Sequence, residues 1–342
     1  MKKVILFLSL CFFGVFISCT SESAKTDVEE LNKKADSLSS KLNSPELKTV
    51  NAELLKNTND ASLYDKRSRI YQSLKQFNEA INDSKRAIKI DSTKSEFHMT
   101  LVDAYFSQNS TRMAKELLEI MEKKFPDNTP TLLKLSEMFF LVRQYQKAID
   151  YANKALKIDE NLAKAYYLKG SIYRESGDTA KAISSLETAT EQDNKFEDAF
   201  YDLGVIYAAR KNPIAFEYYD NTLKINPYNA NARYARAKLL QDLNKIDEAI
   251  KEYENIISKD ASCYNCYYNL GAIYLEIKKD NKKALEKFTK AIELNPSYTE
   301  AYFARGFTYA KLKDKENAKA DYSTCLKIQP NYDAAIQGLN NL

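Results

Sequence analysis

Tryptophan is absent from these 342 residues, histidine occurs once, and glycine and proline number only seven each. Each shortage removes a class of answer. Sheet proteins use turn residues far more often than this, so the scarcity of glycine and proline points to helices joined by short turns. The lone His98 and a single close cysteine pair do not obviously supply four zinc ligands. No P-loop, glycine-rich dinucleotide turn, GxSxG or clustered carboxylate pair is present, so neither catalysis nor a cofactor is expected. A formal net charge of +4 on so long a chain gives no reason to expect nucleic acid.

What is present begins with "MKKVILFLSLCFFGVFISCTSESAKTD". A basic tip, an apolar run from Val4 to Ile17 and a polar tail form the layout of a signal peptide. As a helix the run spans roughly 21 Å, short of the ~30 Å hydrocarbon core, which argues against a permanent membrane span. Phe16-Ile17-Ser18-Cys19 resembles the lipobox of bacterial lipoproteins, although Phe16 stands where leucine is usual. The resemblance implies cleavage after Ser18, lipidation of Cys19 and anchoring to a membrane. Thr20 is not the aspartate that retains many such proteins at the inner membrane, and no acidic run follows. The expected location is therefore the outer membrane, facing the periplasm. An ordinary secretory signal with Cys19 incidental is the alternative.

From residue 61 a pattern recurs. Alanines at 80, 114, 148 and 182 lie 34 apart, in segments such as "AIDYANKALKIDE" and "ALEKFTKAIELNP", and each is preceded by a partner such as "AYYLKGSIYRESG". Periods of this size mark a solenoid. Gly170, Gly204, Gly271 and Gly306 take a small slot where two helices cross closely. Pro126, Pro227, Pro296 and Pro330 follow the second helices, where a missing N–H and a ring clash end the ladder.

These residues resemble the tetratricopeptide repeat family. The resemblance implies an all-α, right-handed α-solenoid of about eight helix-turn-helix repeats, at 61–94, 95–128, 129–162, 163–196, 197–229, 230–263, 264–298 and 299–332. A leader over 1–18, a tether and helical arm over 19–44, an N-terminal capping helix over 45–60 and a C-terminal capping helix over 333–342 complete the expected layout. Repeat five is one residue short, with Asn212 and Pro213 expected as N-cap and first residue of its second helix. Repeat seven is one residue longer.

In this family position 5 of each first helix faces a concave groove. Here Tyr167, Tyr201, Tyr234, Tyr268 and Phe303 occupy it in five successive repeats. The expectation is a partner-binding ladder for extended or helical protein segments; the bland alternative is that tyrosine is simply common at this slot. Cys263 and Cys266 are read as surface turn residues and a candidate disulfide, with redox and metal roles as alternatives. Cys325 and His98 fall on core slots. The lysine-rich stretch 278–290 is a solvated face or a contact for phosphate or acidic groups.

The sequence therefore points to a non-catalytic scaffold or adaptor at the outer membrane. One alternative is an accessory lipoprotein of an outer-membrane assembly or secretion machine; another is a thiol-redox factor using Cys263 and Cys266.

Overall fold

The computed structural model describes residues 44–342. The leader, Cys19 and the arm up to residue 43 lie outside the described residues. Among the described residues there are 18 helices and no strand. The first, α1 (Pro45–Lys56), starts at Ser44, whose hydroxyl accepts from Leu47 N. Eight antiparallel pairs follow. They are α2 (Ala61–Ser73) with α3 (Phe77–Ile90), α4 (Ser95–Ser107) with α5 (Thr111–Lys124), α6 (Thr129–Leu141) with α7 (Tyr145–Ile158), and α8 (Ala163–Glu175) with α9 (Thr179–Gln192). Then come α10 (Glu197–Ala209) with α11 (Ala215–Ile225), α12 (Ala230–Asp242) with α13 (Ile246–Lys259), α14 (Tyr264–Glu276) with α15 (Asn281–Leu294), and α16 (Thr299–Lys311) with α17 (Lys315–Ile328). The chain closes with α18 (Asp333–Asn340), which buries Ala335 against Ala318, Tyr322 and Cys325.

One local device makes every pair. A residue in the left-handed region follows each first helix: Lys75, Asn109, Arg143, Gly177, Lys211, Asn244, Lys279 and Lys313. In seven of the eight its N–H returns to the helix it ends, as Asn109 N does to Phe106 O at 2.9 Å, which satisfies a carbonyl that has lost its intrahelical donor; in the longer repeat seven the neighbours Lys278 N and Asp280 N do this instead. Only Gly177, at φ 87°, is a glycine, so seven turns accept the steric cost of a side chain at positive φ. The scarcity of glycine is thus compatible with a turn-rich solenoid.

The second helices bury small residues toward the crossing. Ala148, Ala152 and Ala155 of α7 are fully buried, on the i, i+4, i+7 spacing of one helical stripe. In the short fifth repeat the helix α11 begins at Ala215, two residues later than expected. Asn212 and Pro213 instead form a tight turn: Asn212 Oδ1 accepts from Ile214 N at 3.0 Å, and Ala215 N and Phe216 N reach back three residues to Asn212 O and Pro213 O. Proline is accommodated there because the turn asks no N–H of it.

The chain forms two compact units, divided after Thr131. The first contains α1 to α5. In it Arg67 clamps Asp83 through Nε at 2.6 Å and Nη2 at 2.8 Å and donates to Asn51 Oδ1 at 2.8 Å, tying α1, α2 and α3 together. The second, Leu132–Leu342, carries all five ladder positions. There the eighth repeat of the chain repeats the clamp: Arg305 donates through Nε and Nη2 to Asp321 and through Nη1 to Thr289.

Candidate docking groove

Each of the five ladder rings is half-buried, and each stands on a residue of its own repeat's second helix. Tyr201 leans on Tyr219 at 6.2 Å between ring centroids, Tyr234 on Tyr253 at 6.1 Å, Tyr268 on Phe288 at 5.7 Å and Phe303 on Tyr322 at 5.8 Å. Tyr167 packs into the cluster that contains Leu186. These supporting rings are almost fully buried and lie over the small slots. A Cβ added to Gly204 would sit 2.5 Å from Tyr219, and one on Gly271 2.6 Å from Phe288, so the glycines are gaps that the rings fill. The supporting aromatics were not singled out in the sequence, although they recur at 219, 253, 288 and 322 with the same period as the alanines.

A second contact divides the ladder. Tyr167 meets Phe196 edge-on at 5.0 Å, Tyr268 meets Tyr298 at 5.1 Å, and Phe303 meets Tyr332 at 5.4 Å. Phe196, Tyr298 and Tyr332 are the last residues of their repeats. The same place holds Asn229 in repeat five and Cys263 in repeat six, so Tyr201 and Tyr234 have no such ring over them. Asn229 instead caps α12, accepting from Ala232 N at 2.8 Å, and donates to Glu197 Oε1 at 2.6 Å. Between these two rings lies a concavity of about 290 Å³, lined by Tyr201, Val205, Tyr219, Tyr234 and Leu239, with Lys238 and Asp242 paired at 3.1 Å on its rim.

Next to Tyr201 sits a polar cluster. Asp202 is 7% exposed; Arg174 Nη1 donates to its Oδ1 at 2.5 Å, while its Oδ2 is buried without a partner. Ser171, 6% exposed, also has an unpartnered Oγ. Burial pushes the Asp202 carboxyl up from its ordinary value, and Arg174 opposes the shift. Burial likewise pushes up the phenols of Tyr167 and Tyr201, with the charge of Asp202 adding to both.

The remaining candidates fall elsewhere. Cys263 and Cys266 are disulfide-bonded, at the N-cap and third residue of α14. Reading both as surface residues needs correction: Cys266 is fully buried among Ala237, Tyr253 and Leu270, because the third residue of a first helix turns toward the preceding repeat. Cys325 is free and buried, and burial pushes its thiol up to about 11. His98 is 5% exposed, edge-on to Phe125 at 5.3 Å, and burial holds its imidazole below the usual value. In the lysine-rich stretch, Lys278, Lys283, Lys287 and Lys290 each pair with a carboxylate. Among the described residues no group of three or more histidine, cysteine or acidic residues is placed to hold a metal, and no helix is long and apolar enough to cross a membrane.

The profile described as tetratricopeptide repeat matches residues 61–94, 230–262 and 299–332, and one described as TPR repeat matches 170–210 and 277–313. The chain carries tetratricopeptide repeats. The structure is similar to the C-terminal part of a TPR repeat-containing protein from Cytophaga hutchinsonii, with TM-score 0.58 and 17% identity over 70% of this chain and 98% of that one. It is also similar to a tetratricopeptide repeat protein from Parabacteroides merdae, with TM-score 0.54 and 21% identity over 72% and 97%. In sequence it is similar to the human protein O-mannosyl-transferase TMTC3, 23% identical over 83% of this chain and 33% of that protein. It also matches a UDP-N-acetylglucosamine–peptide N-acetylglucosaminyltransferase of Giardia intestinalis, 46% identical over 67 residues, 20% of this chain and 4% of that protein. The chain thus spans a third or less of these curated relatives, and the transfer reactions in their names are theirs. The repeats make a scaffold suited to protein–protein interaction.

Proposed function

We propose that this protein is an adaptor that docks an extended or helical segment of a partner protein along the ladder face of its second unit, while lipid on Cys19 holds it at the bacterial outer membrane, facing the periplasm. The observation that carries the docking reading is the concavity between Tyr201 and Tyr234. Two tyrosines left without a covering ring flank a recess of apolar floor, and such anchors concentrate interface energy. The support for anchoring is the apolar run that ends at Ser18-Cys19.

Docking is tested by placing a photo-crosslinking residue at Val205, inside the concavity, and separately at the exposed Lys224 of α11. Crosslinking in native membranes is expected from position 205 and not from 224; equal yields from both would refute a groove-specific contact. Anchoring is tested by mass spectrometry of the mature N-terminus. An unmodified chain that begins elsewhere than residue 19 overturns it.

A further inference from the structure

The turns inside the repeats of the second unit carry a pattern that the groove does not explain. Each first helix ends at such a turn and its second helix leaves from it, so in a stack of antiparallel pairs the six turns line one edge of the unit, and the turns between repeats line the other. Four of the six combine an exposed aliphatic side chain with an exposed cation that pairs with no carboxylate among the described residues. At the turn after α6 these are Leu141 and Val142, 77% and 60% exposed, with Arg143. After α10 they are Ile214 with Arg210 and Lys211, after α14 Ile277 with Lys279, and after α16 Leu312 with Lys313.

Arg143, Lys211, Lys279 and Lys313 are also the left-handed residues of their turns. Glycine and asparagine enter that conformation at least cost, and they hold it in the other two turns, at Gly177 and Asn244, where no large apolar side chain is exposed. Basic residue and exposed aliphatic therefore occur together or not at all. Most acids of this edge are engaged: Asp178, Asp280 and Asp314 cap the helices that follow, while Asp242 and Glu276 pair with Lys238 and Lys311. On the opposite edge the exposed Asp159, Glu160, Asp193 and Asp260 outnumber Lys195 and Lys259.

We propose that the edge formed by these turns rests on an anionic phospholipid surface, with its aliphatic tips below the headgroups and the adjoining cations on the phosphates. The inference goes beyond the docking reading and depends neither on the groove nor on Cys19. The tips stand out from the chain, so a folded partner would need a pocket for each, whereas a bilayer interface admits them wherever they fall. Lysine and arginine stems lie along apolar surface while their heads reach outward to phosphate. Interfacial binding grows with the apolar area buried and with attraction to anionic lipid.

The chain contains no tryptophan, so Val142→Trp, Ile277→Trp and Ile158→Trp each introduce a single reporter, the last of them on the acidic edge. The full-length variants are mixed with vesicles of phosphatidylcholine and phosphatidylglycerol whose acyl chains are brominated to quench tryptophan. Fluorescence should be lost at positions 142 and 277 and kept at 158, and phosphatidylcholine alone should quench none of them. Each cation near an anionic surface contributes about fivefold in affinity, so replacing Arg143, Lys211, Lys279 and Lys313 by glutamine should restore the fluorescence at position 142. Equal quenching at 142 and 158 overturns the proposal, and equal quenching by phosphatidylcholine alone overturns the assignment to anionic lipid. A chain that is held to the vesicles while positions 142 and 277 stay bright is attached through its leader, and the edge contact is then wrong while the anchor and the groove still stand.

Discussion

Tyr201 and Tyr268 occupy the same slot two repeats apart and stand on equivalent buried rings, yet Tyr268 is gripped from above by Tyr298 and Tyr201 is not. Tyr167 and Phe303 behave like Tyr268, and Tyr234 like Tyr201. One consensus position thus does two jobs. Where the last residue of the repeat is aromatic, it covers the ladder ring of that repeat; where it is Asn229 or Cys263, the ring borders a recess. A tyrosine recurring at the groove slot does not by itself mark a binding site.

The largest effects should come from the floor shared by both classes. Tyr219→Ala and Phe288→Ala each remove a ring less than 2% exposed, and truncation of a buried aromatic costs about 3–5 kcal/mol. Urea unfolding should show similar losses for the two. Partner affinity of the folded fraction should separate them, because Tyr219 lines the recess and Phe288 does not. Equal affinity loss in both would dissolve the distinction.

A smaller effect should separate the rings themselves. Tyr234→Ala is expected to cost about 2 kcal/mol of partner affinity, as truncation of a true anchor does. Tyr268→Ala should spare affinity and reduce stability by about 2 kcal/mol, since it loses its contacts with Phe288 and Tyr298. Melting curves and binding isotherms on the same purified variants check both, and a reversed pattern would reverse the assignment.

The solenoid and its ladder were legible because one helix pair repeats, and each slot's demand for a small, aromatic or apolar residue recurs with it. The division of the ladder was not. It depends on residues such as Phe196 and Asn229, which look alike as loop residues until folding lays Phe196 over the ring of its own repeat and turns Asn229 to cap the next helix. Cys266 was misplaced because a loop reading was extended past the N-cap into a helix that already faces the core.

The comparison can also be altered by transplanting the covering ring. Asn229→Tyr would place an aromatic over Tyr201, as Phe196 is over Tyr167. Affinity should fall about tenfold, roughly 1.4 kcal/mol, as the recess closes. Stability should hardly move: a new aromatic pair contributes about 0.5–1.5 kcal/mol, and the lost N-cap at Ala232 N costs about 1 kcal/mol. Unchanged affinity would mean that the open edge of Tyr201 is not where a partner enters.

The smallest expected effect lies at Asp202, where the covered part of the ladder gives way to the open part. Burial raises this carboxyl above its ordinary value, so between the ordinary and the raised pKa the folded chain holds a proton that the unfolded chain releases. Its contribution to stability is greatest below the ordinary carboxylate range, falls as pH rises through the raised value, and is level above it. Asp202→Asn removes this titration, so the stability difference between variant and wild type should shift in the variant's favour from pH 4 to pH 7. Urea unfolding of both proteins at pH 4 and pH 7 reads that shift; an unchanged difference would mean that the Arg174 guanidinium beside it keeps the carboxylate charged in the folded chain across that range.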